Sequence, residues 1–211
     1  MDISVNLIES YLRINGYLTL SEFEVQRRLD DGSFETATDV DVVGLRFPGP
    51  IYAADWHDEP PEGRLLLIED ETLMLIPDCV DVIIGEVKEG DAVFNPALRN
   101  HEVLHTVLQR LKWIYAEPLS QVVSDLQDDG VSIVPTRGDG TIRTRLVAFG
   151  RTPRNTLHAI SLTHVFRTMV SYMEDFDDVL RPAQFKDPAP ALLRLLAKTG
   201  FSVEKKPAEP S

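Results

Sequence analysis

Apolar residues recur at helical spacing near the start of the chain. Leu7, Ile8, Tyr11 and Leu12 predict a helix over residues 3–15, and Asn15-Gly16 supplies a left-handed stop. Residues 18–29 lean towards strand and are followed by the turn signal Asp30-Asp31-Gly32. Residues 38–47 alternate and are β-branched, which predicts a strand ended by Pro48-Gly49-Pro50. Three prolines and several acids over 50–64 predict a surface loop, and 65–76 reads as two short strands around an acidic turn. The strand at 79–88 is the clearest, because its middle is apolar on both faces, as in a sheet covered on both sides. A broad stripe from Val103 to Tyr115 predicts a helix over 100–116. A strand follows at 142–149, then helices at 156–180 and 189–199. The expectation is one α/β domain over 1–203, with a mixed central β-sheet flanked by helices and a loop or hairpin insert at about 50–77. The charged, proline-rich tail 204–211 is expected to be disordered.

Composition changes this picture little. The 211 residues are 43% hydrophobic and 26% charged, enough for a folded chain with a sizeable core. A single cysteine, Cys79, forbids an intrachain disulfide and points to a reducing cytoplasmic compartment. No apolar run approaches a membrane span, and the N-terminus lacks the basic region of a secretion signal.

Charge matters more. The net charge is -13, which opposes a polyanionic partner. The distribution is uneven: residues 1–90 hold 20 acids and 6 bases, whereas 131–211 hold 8 acids and 12 bases. Arg137, Arg143, Arg145, Arg151 and Arg154 have only Asp139 among them. This stretch reads either as a solvated surface or as a phosphate-contacting edge. In the second case Arg143, Arg145 and Arg151 are the nucleic-acid contacts, and Arg143 and Arg145 share one strand face. A protein partner or a second copy of the chain would then supply further affinity. No membrane partner is expected.

Asp41 lies in the apolar strand Asp39-Val40-Asp41-Val42-Val43, where a carboxylate is unfavourable unless a positive charge is held against it. The later strand ends Ile84-Gly85-Glu86-Val87-Lys88, which places Glu86 and Lys88 on one face. If the two strands are neighbours, Asp41, Glu86 and Lys88 converge. Two carboxylates holding a hard cation, with an ammonium beside them, suit phosphodiester hydrolysis. The order helix–strand–strand–strand–helix–strand, with TDVDVV and IIGEVK at the second and third strands, resembles the restriction-endonuclease-like PD-(D/E)xK nuclease superfamily over about residues 1–150. The resemblance implies an αβββαβ core with additional C-terminal helices. It also implies Mg²⁺ (or Mn²⁺) on Asp41 and Glu86, Lys88 as the catalytic lysine, and Glu9 of the first helix as an extra metal ligand. Val40 stands where the family usually has proline.

Ordinary roles exist for each residue: Glu9 as a solvated helix position, Asp41 as a turn cap or a partner of Arg46, Lys88 as a strand-end charge. Retention of the fold without chemistry, as a binding or structural module, is therefore a second reading. A third comes from His101-Glu102-Val103-Leu104-His105, a formal HExxH string on a predicted helix, as in zinc metalloproteases. No GxxH follows it, and Glu117 sits too close to the same helix to serve as a third ligand. Cys79 and the stripe Phe166, Met169, Val170 and Met173 read as core.

Overall fold

The chain opens with helix α1 (Ile3–Ile14), whose N-cap Asp2 accepts from the Ser4 and Val5 amides. Asn15 caps its end, and Gly16 turns the chain at φ +86°. These elements belong to a computed structural model that describes residues 2–49, 67–153, 158–176 and 187–201. A hairpin follows, β1 (Leu18–Arg28) and β2 (Phe34–Arg46), turned through Gly32. Strand β3 (Cys79–Val87) pairs antiparallel with β2 and is buried at every position, as its two-sided apolar pattern requires. A crossover then carries β4 (Asp91–Ala92), α2 (His101–Gln109), α3 (Leu119–Asp128) and β5 (Val131–Pro135) before β6 (Thr141–Gly150) returns parallel to β3.

The sheet order is β1-β2-β3-β6-β5. Strand β8 (His158–Ser161) pairs parallel with the far half of β6, along the edge whose near half holds β5. A small second ladder joins β4 to β7 (Thr152–Pro153). Helices α4 (Leu162–Asp175) and α5 (Pro188–Lys198) complete the described elements.

Period-two alternation on β3 and β6 divides the core into two layers. Val80, Val82, Ile84, Ile142 and Leu146 pack against α2 and α3. Ile83, Val87, Val147 and Phe149 pack against α1, α4 and α5. Gly85 leaves room for side chains of both neighbouring strands: a Cβ there would stand 2.6 Å from Val42 Cγ1 and 3.1 Å from the Phe149 ring.

Several boundaries differ from the sequence reading. The helix expected over 100–116 ends at Gln109, because the chain turns to bury Ile114 and Tyr115, and the Tyr115 hydroxyl meets Thr144 Oγ1 at 2.8 Å. The sequence reading assigned nothing to α3 and β5. The segment expected as helix from 156 begins as β8, since pairing with Val147–Gly150 outweighs local propensity; Ser161 then N-caps α4. Residues 67–76 hold one 3₁₀ turn, Glu71–Leu73, and no strand. The rest of the insert and the tail 204–211 lie outside the described residues. Among those described, no helix is long and apolar enough to cross a membrane.

Candidate functional site

Asp41 and Glu86 come together where β2 parts from β3. The ladder between these strands runs from Arg46 and Asp81 to Val42 and Gly85, and its next rung would pair Asp41 with Glu86. Asp41 fills that slot with its side chain instead: Oδ2 accepts the Val87 amide at 2.7 Å. The Lys88 amide is held from the other side by Phe149 O at 2.8 Å. The end of β3 is thus fixed between a carboxylate and β6. Glu86 is 2% exposed and follows Val82 and Ile84 in alternation, so it points to the α2 and α3 side. Its Oε1 forms an ion pair with Lys88 Nζ, and the Lys88 side chain remains 46% exposed. A buried carboxylate and an accessible ammonium therefore sit side by side.

The electrostatics show a shortage of positive charge. Burial raises the Glu86 carboxyl above its ordinary value; Lys88 opposes the shift and Asp41 adds to it. Burial likewise raises Asp41, against the Val87 hydrogen bond and Lys88, with Asp2 and Asp39 contributing in the upward direction. Lys88 is raised by its bond to Glu86 and stays charged. Two carboxylates share one ammonium, and both are costly to ionise. Their oxygens are hard donors of the type Mg²⁺ takes, one or two carboxylates per ion with water or phosphate completing the shell. Among the described residues, no group of three or more His, Cys, Asp or Glu side chains is arranged to hold a metal.

The structure leaves Glu9 out of this group. Its carboxylate meets Arg13 Nη2 at 3.0 Å, and Arg13 reaches Asp187 at 2.7 Å, so Glu9 faces α5. The acid of α1 among the main charges acting on Asp41 is the helix N-cap, Asp2.

Arg143 and Arg145 share a face of β6, as the alternation implied, but that face lies opposite Glu86 and is covered by α1 and α4. Arg143 is 7% exposed and Arg145 3%. Arg143 Nε donates to Asp81 Oδ1 at 2.6 Å, and Arg145 Nη2 donates to Asp81 Oδ2 at 2.8 Å. The Tyr17 hydroxyl adds a 2.5 Å bond to Asp81 Oδ2. These guanidinium groups are structural and out of reach of a phosphate. The sequence signal for this was Asp81 itself, a carboxylate between Val80 and Val82 in a strand buried on both faces. Arg151, by contrast, is exposed, and its amide donates to Gly90 O at 2.6 Å, beside the turn that carries Lys88. Of the three candidate phosphate contacts, Arg151 alone stands at the edge of the site.

His158 extends the buried network. One ring nitrogen, Nε2, lies 2.9 Å from Thr72 O, and the other, Nδ1, lies 2.5 Å from Arg145 Nη1. A neutral ring satisfies both, donating to the carbonyl and accepting from the guanidinium. Burial, with Arg145 beside it, lowers the pKa from 6.5 to about 4. The unfolded chain therefore binds the extra proton first as pH falls through that window, so stability is present above pH 6.5 and drains away towards pH 4. Urea midpoints taken across the window should fall with pH in the wild type, and His158→Asn should remove part of that slope.

His101 and His105 stack one turn apart, with ring centroids 6.1 Å apart and planes at 11°. Glu102 lies on the groove between α2 and the β1–β2 hairpin, with Arg27 and Glu35. Arg46, the alternative partner for Asp41, is engaged with Glu69 and with Asn15 O. Cys79 is buried and unpaired, and Met169 and Met173 are core, whereas Phe166 is exposed. No family model, curated protein or solved structure matches this chain, so the chemistry of the site is read from its own residues.

Proposed function

We propose that the protein is a metal-dependent nuclease of the PD-(D/E)xK type, hydrolysing phosphodiester bonds of DNA or RNA. One observation carries this reading: the Asp41 carboxylate occupies a main-chain ladder slot beside the buried Glu86, whose own carboxylate is paired with an accessible lysine. The antiparallel meander β1–β2–β3 and the crossover to parallel β6 support the resemblance; that crossover carries the strands β4 and β5 as well as α2 and α3.

Asp41 and Glu86 would hold Mg²⁺ or Mn²⁺, which when bound polarises the scissile phosphate and acidifies water. Asp41 is aimed by the Val87 amide and so needs no reorganisation to offer an oxygen. Glu86, almost fully buried, would present its charge at low local dielectric. Lys88 stays protonated and reaches solvent, placed to stabilise the charge that accumulates on phosphorus as water attacks and the P–O bond breaks. Arg151, exposed beside Gly90, would contact a neighbouring phosphate. A cytoplasmic location accords with the single unpaired cysteine.

The burial of Arg143 and Arg145 favours a second reading. Without them few cations near the site face solvent among the described residues, which suits a non-catalytic binding module or a nuclease brought to its substrate by another protein. Incubating the full chain with single- and double-stranded DNA and RNA in Mg²⁺, Mn²⁺ or Ca²⁺ decides between them. The nuclease should cut with Mg²⁺ or Mn²⁺ only, because Ca²⁺ fills a carboxylate site with looser geometry. No cleavage of any substrate, with no Mn²⁺ bound in calorimetry, would establish the binding module.

A further inference from the structure

Asp41 has an unusual place in the sheet. In the β1–β2 ladder Ser21 faces Val42 and Phe23 faces Val40, and the rung between them, Glu22 with Asp41, is missing. The β2–β3 ladder also stops one residue short of Asp41. Glu22 has φ +50°, a left-handed backbone that non-glycine residues rarely adopt within a strand.

Both strands change face at this rung. Leu18 and Leu20 line the same apolar groove as Phe23, although regular alternation would put them on opposite sides of β1. Val40 packs in the same core layer as Val43, although alternation would separate those two as well. A change of face on one strand alone would break the pairing; made together on the same rung, the two changes preserve it.

We propose that the left-handed backbone of Glu22 positions Asp41. It lets both strands turn over at one rung, which frees Asp41 from the main-chain ladders. The Asp41 carboxylate then takes the Val87 amide and comes to rest beside Glu86. Glu22 is a positioning residue that acts through Asp41. The consequence for metal binding rests on the nuclease reading; the geometry does not. The Glu22 side chain has a separate task, since Oε1 accepts the Asp2 amide at 3.2 Å.

Two measurements on the metal-free full chain and its Mn²⁺ titration test this: hydrogen exchange at the Val87 amide, and Mn²⁺ affinity by calorimetry. Glu22→Gly tolerates the left-handed backbone and Glu22→Gln retains the side-chain acceptor, so both should keep Val87 protected and Mn²⁺ affinity close to wild type. Glu22→Val favours an extended backbone. It should expose the Val87 amide to the rate seen in Asp41→Ala while the Lys88 amide stays protected. Its Mn²⁺ affinity should fall by about 10- to 100-fold, the usual loss when an orienting contact to a ligand is removed. Glu22→Thr, a milder β-branched change, gives the same readout should the valine variant fold poorly.

Unchanged Val87 exchange in both β-branched variants would overturn the inference. So would Glu22→Gln behaving like Glu22→Val, because the carboxylate rather than the backbone would then be responsible. Faster Val87 exchange in the β-branched variants, together with a wild type that binds no Mn²⁺, would uphold the positioning role and overturn the metal reading.

Discussion

Asp41→Ala and Glu86→Ala should each reduce metal-dependent cleavage to background and abolish Mn²⁺ binding, whereas Lys88→Ala should do only the first. The difference follows from where the three groups sit. On the nuclease reading Asp41 and Glu86 are the paired oxygen donors, and removing either halves the negative charge offered to a cation that dehydrates reluctantly. Lys88 offers no lone pair while its bond to Glu86 keeps it protonated. Its loss should leave Mn²⁺ affinity close to wild type and lower turnover by about 10²–10³-fold, the usual cost of removing one charge-stabilising donor. Calorimetry and single-turnover cleavage on the same preparations separate the two effects. Cleavage that persists in both Asp41→Ala and Glu86→Ala would show that this group is not the catalyst. Arg151→Ala belongs to a third class: it should weaken substrate binding and lower the slope of affinity against salt by about one, with chemistry unchanged.

The largest effect on stability is expected at Asp81. Burial would raise this carboxyl, but Arg145, Arg143 and Tyr17 outweigh it and hold the pKa below its ordinary value. Asp81→Ala leaves two guanidinium groups, 7% and 3% exposed, without the charge they share. Breaking a buried ion pair in this way costs about 3–5 kcal/mol, a large part of the stability of an ordinary domain. Urea unfolding monitored by circular dichroism should show the loss. Because the folded pKa is depressed, the contribution of Asp81 is present above the ordinary carboxylate value and lost only in acid. The same geometry alters what arginine variants report. Arg143→Ala and Arg145→Ala should destabilise the fold, and any fall in nucleic-acid binding would follow from unfolding. A variant pair that kept wild-type stability while losing salt-dependent binding would contradict the buried network.

How far each feature was legible depended on how local its cause is. The helix at 3–15, the hairpin strands, the strand at 79–88 and the strand at 142–149 were readable because periodicity and turn residues act over a few neighbours. The group Asp41, Glu86 and Lys88 was readable because a carboxylate in an apolar strand demands a reason, and the two residues of Glu-x-Lys share a face whatever surrounds them. The same rule applied to Asp81 would have indicated a buried counter-charge, and the apolar phase of β1 slips between Leu20 and Phe23; the sequence reading used neither signal.

Only the assembled sheet decided which residues meet. Chain pattern indicates that Arg143 and Arg145 share a side of β6, but not that α1 and α4 cover that side or that Asp81 lies against it on β3. The turn at Gln109 and the strand at 158 likewise depend on contacts with β6 that local propensity does not register. Glu9 falls on a helix face whose direction is set by packing against α5. Periodicity states that a side chain has a face; the charge or cation waiting there comes from strands and helices distant in sequence, and long-range register places them.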